Sequence, residues 1–108
     1  MADIYAIKIF EDEALTAGSS ATSATLPVSA YKPLGNFASQ LTVVGQVDVD
    51  LYVSIDGVNF VKSRTLFEDY TTGSYIENHG MEVATEFYFV LTEKASSTAT
   101  VTMWTGIQ

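Results

Sequence analysis

The sequence predicts an all-β domain: an antiparallel β-sandwich or jelly roll of about seven to eight strands, with a small β-barrel as the alternative. Three observations carry this reading. Val47, Val49, Leu51, Val53 and Ile55 alternate with Asp48, Asp50, Tyr52 and Ser54, the period-two pattern of a strand with one buried and one wet face. Short runs of the same kind, rich in Thr, Val and aromatics, recur along the chain between turn residues. No segment carries a helical period.

The elements follow in order. Residues 4–10, IYAIKIF, read as the first strand, with Tyr5, Ile7 and Ile9 on one face and Ile4, Ala6, Lys8 and Phe10 on the other. Residues 11–15, EDEAL, allow one helical turn at most. Residues 16–25, TAGSSATSAT, are small and hydroxylic, which fits a flexible surface loop or an arm that orders against a neighbouring subunit. Leu26, Val28 and Ala30 suggest a short strand over 24–31, ended by Pro33 and Gly35. A strand over 36–45 is expected to pass through a hairpin at Gly45-Gln46 into the strand over 47–55. Asp56-Gly57 is a favoured pair for a tight turn, because both residues tolerate positive φ. A strand over 58–67 follows. Residues 68–82 are polar with two glycines and read as a loop holding a short strand at 74–77. Strands over 85–92 and 98–107, joined by a turn at 93–97, complete the chain.

The chain has 108 residues and reads as one domain over 1–108. A domain of this size buries roughly 65% of its unfolded surface, enough for a core without cross-links. There is no cysteine, so disulfides and thiolate metal sites are excluded. The 13 acidic residues against 5 basic give a net charge of −8, which disfavours nucleic-acid backbones and anionic membrane surfaces as partners. The opening residues MADIYAIKIFEDE do not resemble a signal peptide, since the apolar run is short and acids follow it.

Candidates for chemistry are few. His79, the one histidine, is expected to be an exposed loop residue. Asp48 and Asp50 lie about 7 Å apart on one strand face, and Asp56 lies about 20 Å farther along, too far to share one cation. They read as a solvated face. Glu11, Asp12 and Glu13, and likewise Glu68 and Asp69, form local acidic runs rather than a carboxylate pair set across a substrate. Phosphate-binding glycine loops are absent. No cofactor and no enzymatic activity are expected. Trp104, Tyr52, Tyr70, Tyr75 and Tyr88 offer material for a sugar-stacking platform, or for a core or an oligomer interface.

The segment LYVSIDGVNF, with its alternating strand, Ser-x-Asp-Gly turn and following aromatic, resembles a hairpin of small β-sandwich proteins in tailed-bacteriophage virions, of the capsid decoration or auxiliary type. The likeness is closest over 47–60 and extends loosely over 26–108, through YKPLGNF, QLTVVG and FYFVLTEKASSTATVTMW. It implies a non-enzymatic structural protein, folded in the host cytoplasm and docked on the particle exterior. The partners implied are the major capsid protein or other virion subunits, with self-association into a homo-oligomer such as a trimer. The residues assigned to a partner interface are Ser19, Ser20, Thr22, Ser23, Tyr31 and Trp104. Similar hairpins occur in extracellular sugar-binding sandwiches such as discoidin-like domains, which often carry cysteines. The rival expectation is therefore a carbohydrate- or receptor-binding module of a tail tip or fibre.

Overall fold

A computed structural model describes residues 5–27, 36–81 and 84–107. Among them are seven strands: β1 (Tyr5–Leu15), β2 (Ser20–Thr22), β3 (Leu26–Pro27), β4 (Asn36–Ser54), β5 (Val61–Met81), β6 (Glu86–Glu93) and β7 (Ala99–Ile107). Every pairing between them is antiparallel.

The long strand β4 organises the fold. Along one edge it pairs with β5 over nearly its whole length, from Asn36↔Met81 to Val53↔Val61. Along the other edge it pairs with β7 from Phe37 to Val44 and with β6 from Val47 to Ser54. β1 lies outside β7, and β2 and β3 lie outside β6. Each row of the sheet therefore has two halves. One half-sheet holds β1, β7 and the 36–44 and 73–81 parts of β4 and β5. The other holds β2, β3, β6 and their 47–54 and 61–71 parts.

The rows bend between the halves, and the sheet folds onto itself as a sandwich that is nearly a closed barrel. Contacts across the fold show it: Phe67 of the second half-sheet lies 5.7 Å from the His79 ring of the first, and Arg64 sits 5.5 Å over the Phe37 ring. Inward residues of both halves make one cluster, including Phe37, Leu41, Val43, Val49, Leu51, Phe67, Phe89, Val101 and Met103. Burial of this apolar surface is the main stabilising term. The one buried hydroxyl pair among them, Ser39 Oγ and Thr105 Oγ1, is satisfied internally at 3.0 Å.

The bend explains several departures from the sequence-based expectations. Gly45-Gln46 is not a hairpin, and β4 continues through it as one bent strand. Gly45 has φ +114°, and a Cβ there would lie 2.9 Å from the Ala99 Cβ, so glycine lets the strand turn the corner against β7. The register slips opposite it, between Val43 and Gln46. Residues 68–82, expected as a polar loop holding a short strand at 74–77, continue β5 as an edge strand as far as Met81, so the strand extends well beyond the four residues expected. An edge strand needs apolar residues only at its inward positions, so its polar composition hides it. Residues 11–15 are strand rather than a helical turn, entered through register shifts between Lys8 and Glu13, with Asp12 at φ 46°. Of the strand expected over 24–31, β3 covers Leu26–Pro27, and 28–31 fall outside the described residues.

Candidate binding face and docking loop

The expected interface residues separate in the fold. Ser20 and Thr22 are on β2, paired with Thr92 and Val90 of β6. Ser19 bonds back to Thr16 through its Oγ at 2.8 Å, and Ser20 Oγ meets Thr92 Oγ1 at 3.3 Å. Ser23 Oγ accepts the Phe89 N–H at 2.9 Å. The 16–25 segment, read from sequence as a loop or arm, is thus laid along the domain's own β6. Tyr31 lies outside the described residues. Trp104 is in the other half-sheet, on β7.

The aromatic residues also divide. Tyr52 and Tyr88 stack at 5.1 Å on the outer face of the second half-sheet, with Phe60 against Tyr88 at 5.0 Å. Tyr70 and Tyr75 pack edge-on at 4.7 Å in the bend of β5, their hydroxyls donating to Glu77 and to the Thr71 carbonyl. Trp104 stands apart from both groups, on the outer face of the first half-sheet. No single platform gathers them.

His79 is a correction. It lies on β5, only 8% exposed, with its ring 4.8 Å from Phe37. Burial, reinforced by the Arg64 charge, pushes its pKa down to about 4. Its Nε2 is buried without a hydrogen-bond partner among the described residues. The neutral imidazole thus serves as a core ring.

Asp48, Asp50 and Glu93 are each engaged. Asp48 accepts the Asp69 N–H at 2.7 Å and faces Lys94 at 3.7 Å. Asp50 accepts the Thr65 hydroxyl at 2.6 Å and faces Lys62 at 3.3 Å. Glu93 is buried and accepts N–H bonds from Gly18 at 2.8 Å, Ala95 at 2.6 Å and Ser97 at 3.2 Å. The Gly18 bond leads in holding its carboxyl below the usual range, and burial opposes it. Among the described residues, no group of three or more His, Cys, Asp or Glu side chains is placed to hold a metal ion.

The Asp-Gly turn is a longer loop than the two residues expected, because the Asp56 carboxylate organises it. It accepts the N–H groups of Asn59 and Val58 at 2.8 Å each, the Asn59 side-chain amide at 2.8 Å and the Ser54 hydroxyl at 2.9 Å. These bonds, the Asn59 N–H foremost, hold the carboxyl well below the usual carboxylate range. Thr85 ties the loop down by donating to the Ser54 and Ile55 carbonyls. The fixed loop holds Ile55, Val58 and Val61 in water at 64%, 78% and 68% exposure.

The outer face of the first half-sheet has a different character. Its outward positions on β4, β7 and β5 are Ala38, Gln40, Thr42 and Val44; Thr100, Thr102, Trp104 and Gly106; and Ser74, Ile76 and Asn78. None is charged, in a chain of net charge −8. An open groove of about 440 Å³ crosses this face, lined by Ala6, Ala38, Gln40, Ile76, Trp104 and Gly106 among others.

No protein-family model and no curated protein matches the chain. Solved structures do resemble it in fold. A chain of the VP2 subviral particle of infectious bursal disease virus superposes with a TM-score of 0.59 at 12% identity, over 98% of this chain and 33% of that one. A chain from the Gx strain of the same virus gives 0.56 at 11% identity, over 97% and 32%. A CBM4 carbohydrate-binding module gives 0.52 at 13% identity, over 83% of this chain and 75% of the module. The chain spans about a third of the length of the two viral chains. At these identities the likeness establishes the fold, a β-sandwich of the jelly-roll kind.

Proposed function

We propose that the protein is a non-enzymatic structural component of a virus particle, a bacteriophage decoration protein docked on the particle exterior. The observation that carries this reading is the 54–61 loop. A loop so heavily bonded around Asp56 does not leave three aliphatic side chains in water for folding's sake, and fixed apolar projections of this kind are what protein partners bury. Preorganisation lowers the entropy cost of docking. The acidic surface suits the outside of a particle better than contact with packaged nucleic acid. The superposition of nearly the whole chain on a viral subviral-particle chain supports the same reading at the level of fold. The partner is a capsid or other virion subunit, and the protein self-associates as a small homo-oligomer, a trimer being the expected state.

The test is location and attachment. Mass spectrometry of purified particles is expected to find the protein in stoichiometric copies. Val58→Asp is expected to abolish its attachment to particles stripped of it, while leaving its melting temperature unchanged, since Val58 is exposed. Absence from particles would sink the virion reading. Undiminished attachment of the Val58→Asp variant would move the docking surface away from this loop.

A further inference from the structure

We propose that the groove across the outer face of the first half-sheet binds a neutral carbohydrate, with a pyranose ring seated against Trp104. The groove arises from two neighbouring rows of the sheet. Ala6, Gly106, Ala38 and Asn78 stand side by side on β1, β7, β4 and β5. The next row on the same face is Lys8, Trp104, Gln40 and Ile76. The minimal side chains of Ala6, Gly106 and Ala38 beside a row of large ones leave a trough, closed on one side by the indole and Ile76. Its volume of about 440 Å³ falls in the range of small-molecule sites.

The lining selects the ligand class. Trp104 is 39% exposed, a flat apolar surface open to water. The Lys8 ammonium stands 5.1 Å over the indole centroid, and Lys8 does not line the groove. The Gln40 amide in the lining carries both donors and an acceptor, and it makes no side-chain hydrogen bond among the described residues. A wholly apolar ligand covering the groove would leave this amide without a partner. A cationic ligand would find no acid in the lining, and an anionic one would meet the field of a chain with net charge −8, with Lys8 already paired to Glu11 at 3.0 Å. A pyranose matches each condition: its C–H face is apolar and flat, and its rim is ringed with uncharged hydroxyls. The site lies in the half-sheet opposite the 54–61 loop, so it stays independent of the docking reading.

The chain has a single tryptophan, so intrinsic fluorescence reports directly on the site. Cellohexaose, laminarihexaose, maltohexaose and mannohexaose are titrated into the intact protein, with polygalacturonate as the anionic counterpart. At least one neutral hexasaccharide is expected to give a saturable change in Trp104 emission, with Kd of about 0.1–1 mM, and polygalacturonate none. By calorimetry, Trp104→Ala and the groove-filling Ala38→Phe are each expected to weaken binding at least about tenfold, about 1.4 kcal/mol, and Trp104→Phe to retain part of it. These positions face outward, so unchanged melting temperatures show that the variants fold. No saturable change with any of the four neutral sugars at about 5 mM overturns the proposal, as does undiminished binding by Trp104→Ala or Ala38→Phe.

Discussion

His79 and Glu93 both contribute to how this protein responds to acid. A neutral imidazole held between Phe37 and Phe67 with a folded pKa of about 4, against 6.5 when free, means that the unfolded chain takes up the proton first. Stability is therefore whole above pH 6.5 and falls as pH drops toward 4, by about 2 kcal/mol in all once partial access of water to the ring is allowed for. His79→Phe is expected to flatten that part of the curve, which urea midpoints at pH 7 and 4.5 would check; equal slopes in the two proteins would refute it. Glu93 acts in a lower window. Its folded carboxyl titrates below the unfolded value of 4.5, so its contribution is present above 4.5 and is lost as pH falls through the folded value. Its three N–H donors come from two loops, one before β2 and one before β7. Glu93→Ala should therefore speed amide exchange at Gly18, Ala95 and Ser97 together, by about tenfold.

At the scale of elements, the bend in β4 is the feature on which the sandwich depends. Any side chain at Gly45 faces both the left-handed φ of +114° and the Ala99 Cβ at 2.9 Å. Gly45→Ala is expected to cost about 1–3 kcal/mol, read as a lowered thermal midpoint. A neutral outcome would mean that the corner flexes freely. The 54–61 loop shows the complementary case, in which a short polar side chain does the organising. Asp56→Ala would release four hydrogen bonds to one carboxylate, and faster exchange at Val58 and Asn59 is the expected sign.

For the whole molecule, the two half-sheets share their rows and one core, so neither can unfold alone. Phe67 sits at the centre of this arrangement, fully buried and touching His79 across the fold. Phe67→Ala is expected to cost about 3–5 kcal/mol and to shift a single transition without splitting it, as calorimetry would show. Two transitions would mean that the halves are separate folding units. The charge distribution also belongs to this scale. Asp48 and Asp50 with their partner lysines lie on the second half-sheet, while on the first the charges of the outer face keep to the outermost strand β1, leaving the outward positions of β7, β4 and β5 uncharged.

Much of the sheet was legible in the sequence, because burial in a strand is a local, period-two property. Phe37, Ser39, Leu41 and Val43; Val47, Val49 and Leu51; Phe87, Phe89 and Leu91; and Ala99, Val101 and Met103 all point inward as alternation requires. The all-β class and the outward set of Trp104 on β7 follow from the same pattern. Other features were not local. Whether Gly45 reverses the chain or bends one strand depends on whether β6 and β7 occupy the same edge of β4, which no window of sequence contains. The polar stretch 68–81 becomes a strand because an edge makes few demands on its outward residues, and His79 becomes core because Phe67 from the facing layer closes over it. For the candidate site, the sequence marked Trp104. The floor of Ala6, Gly106 and Ala38 exists only once three distant segments pair in register, and the same pairing puts Tyr52 in the other half-sheet, away from Trp104.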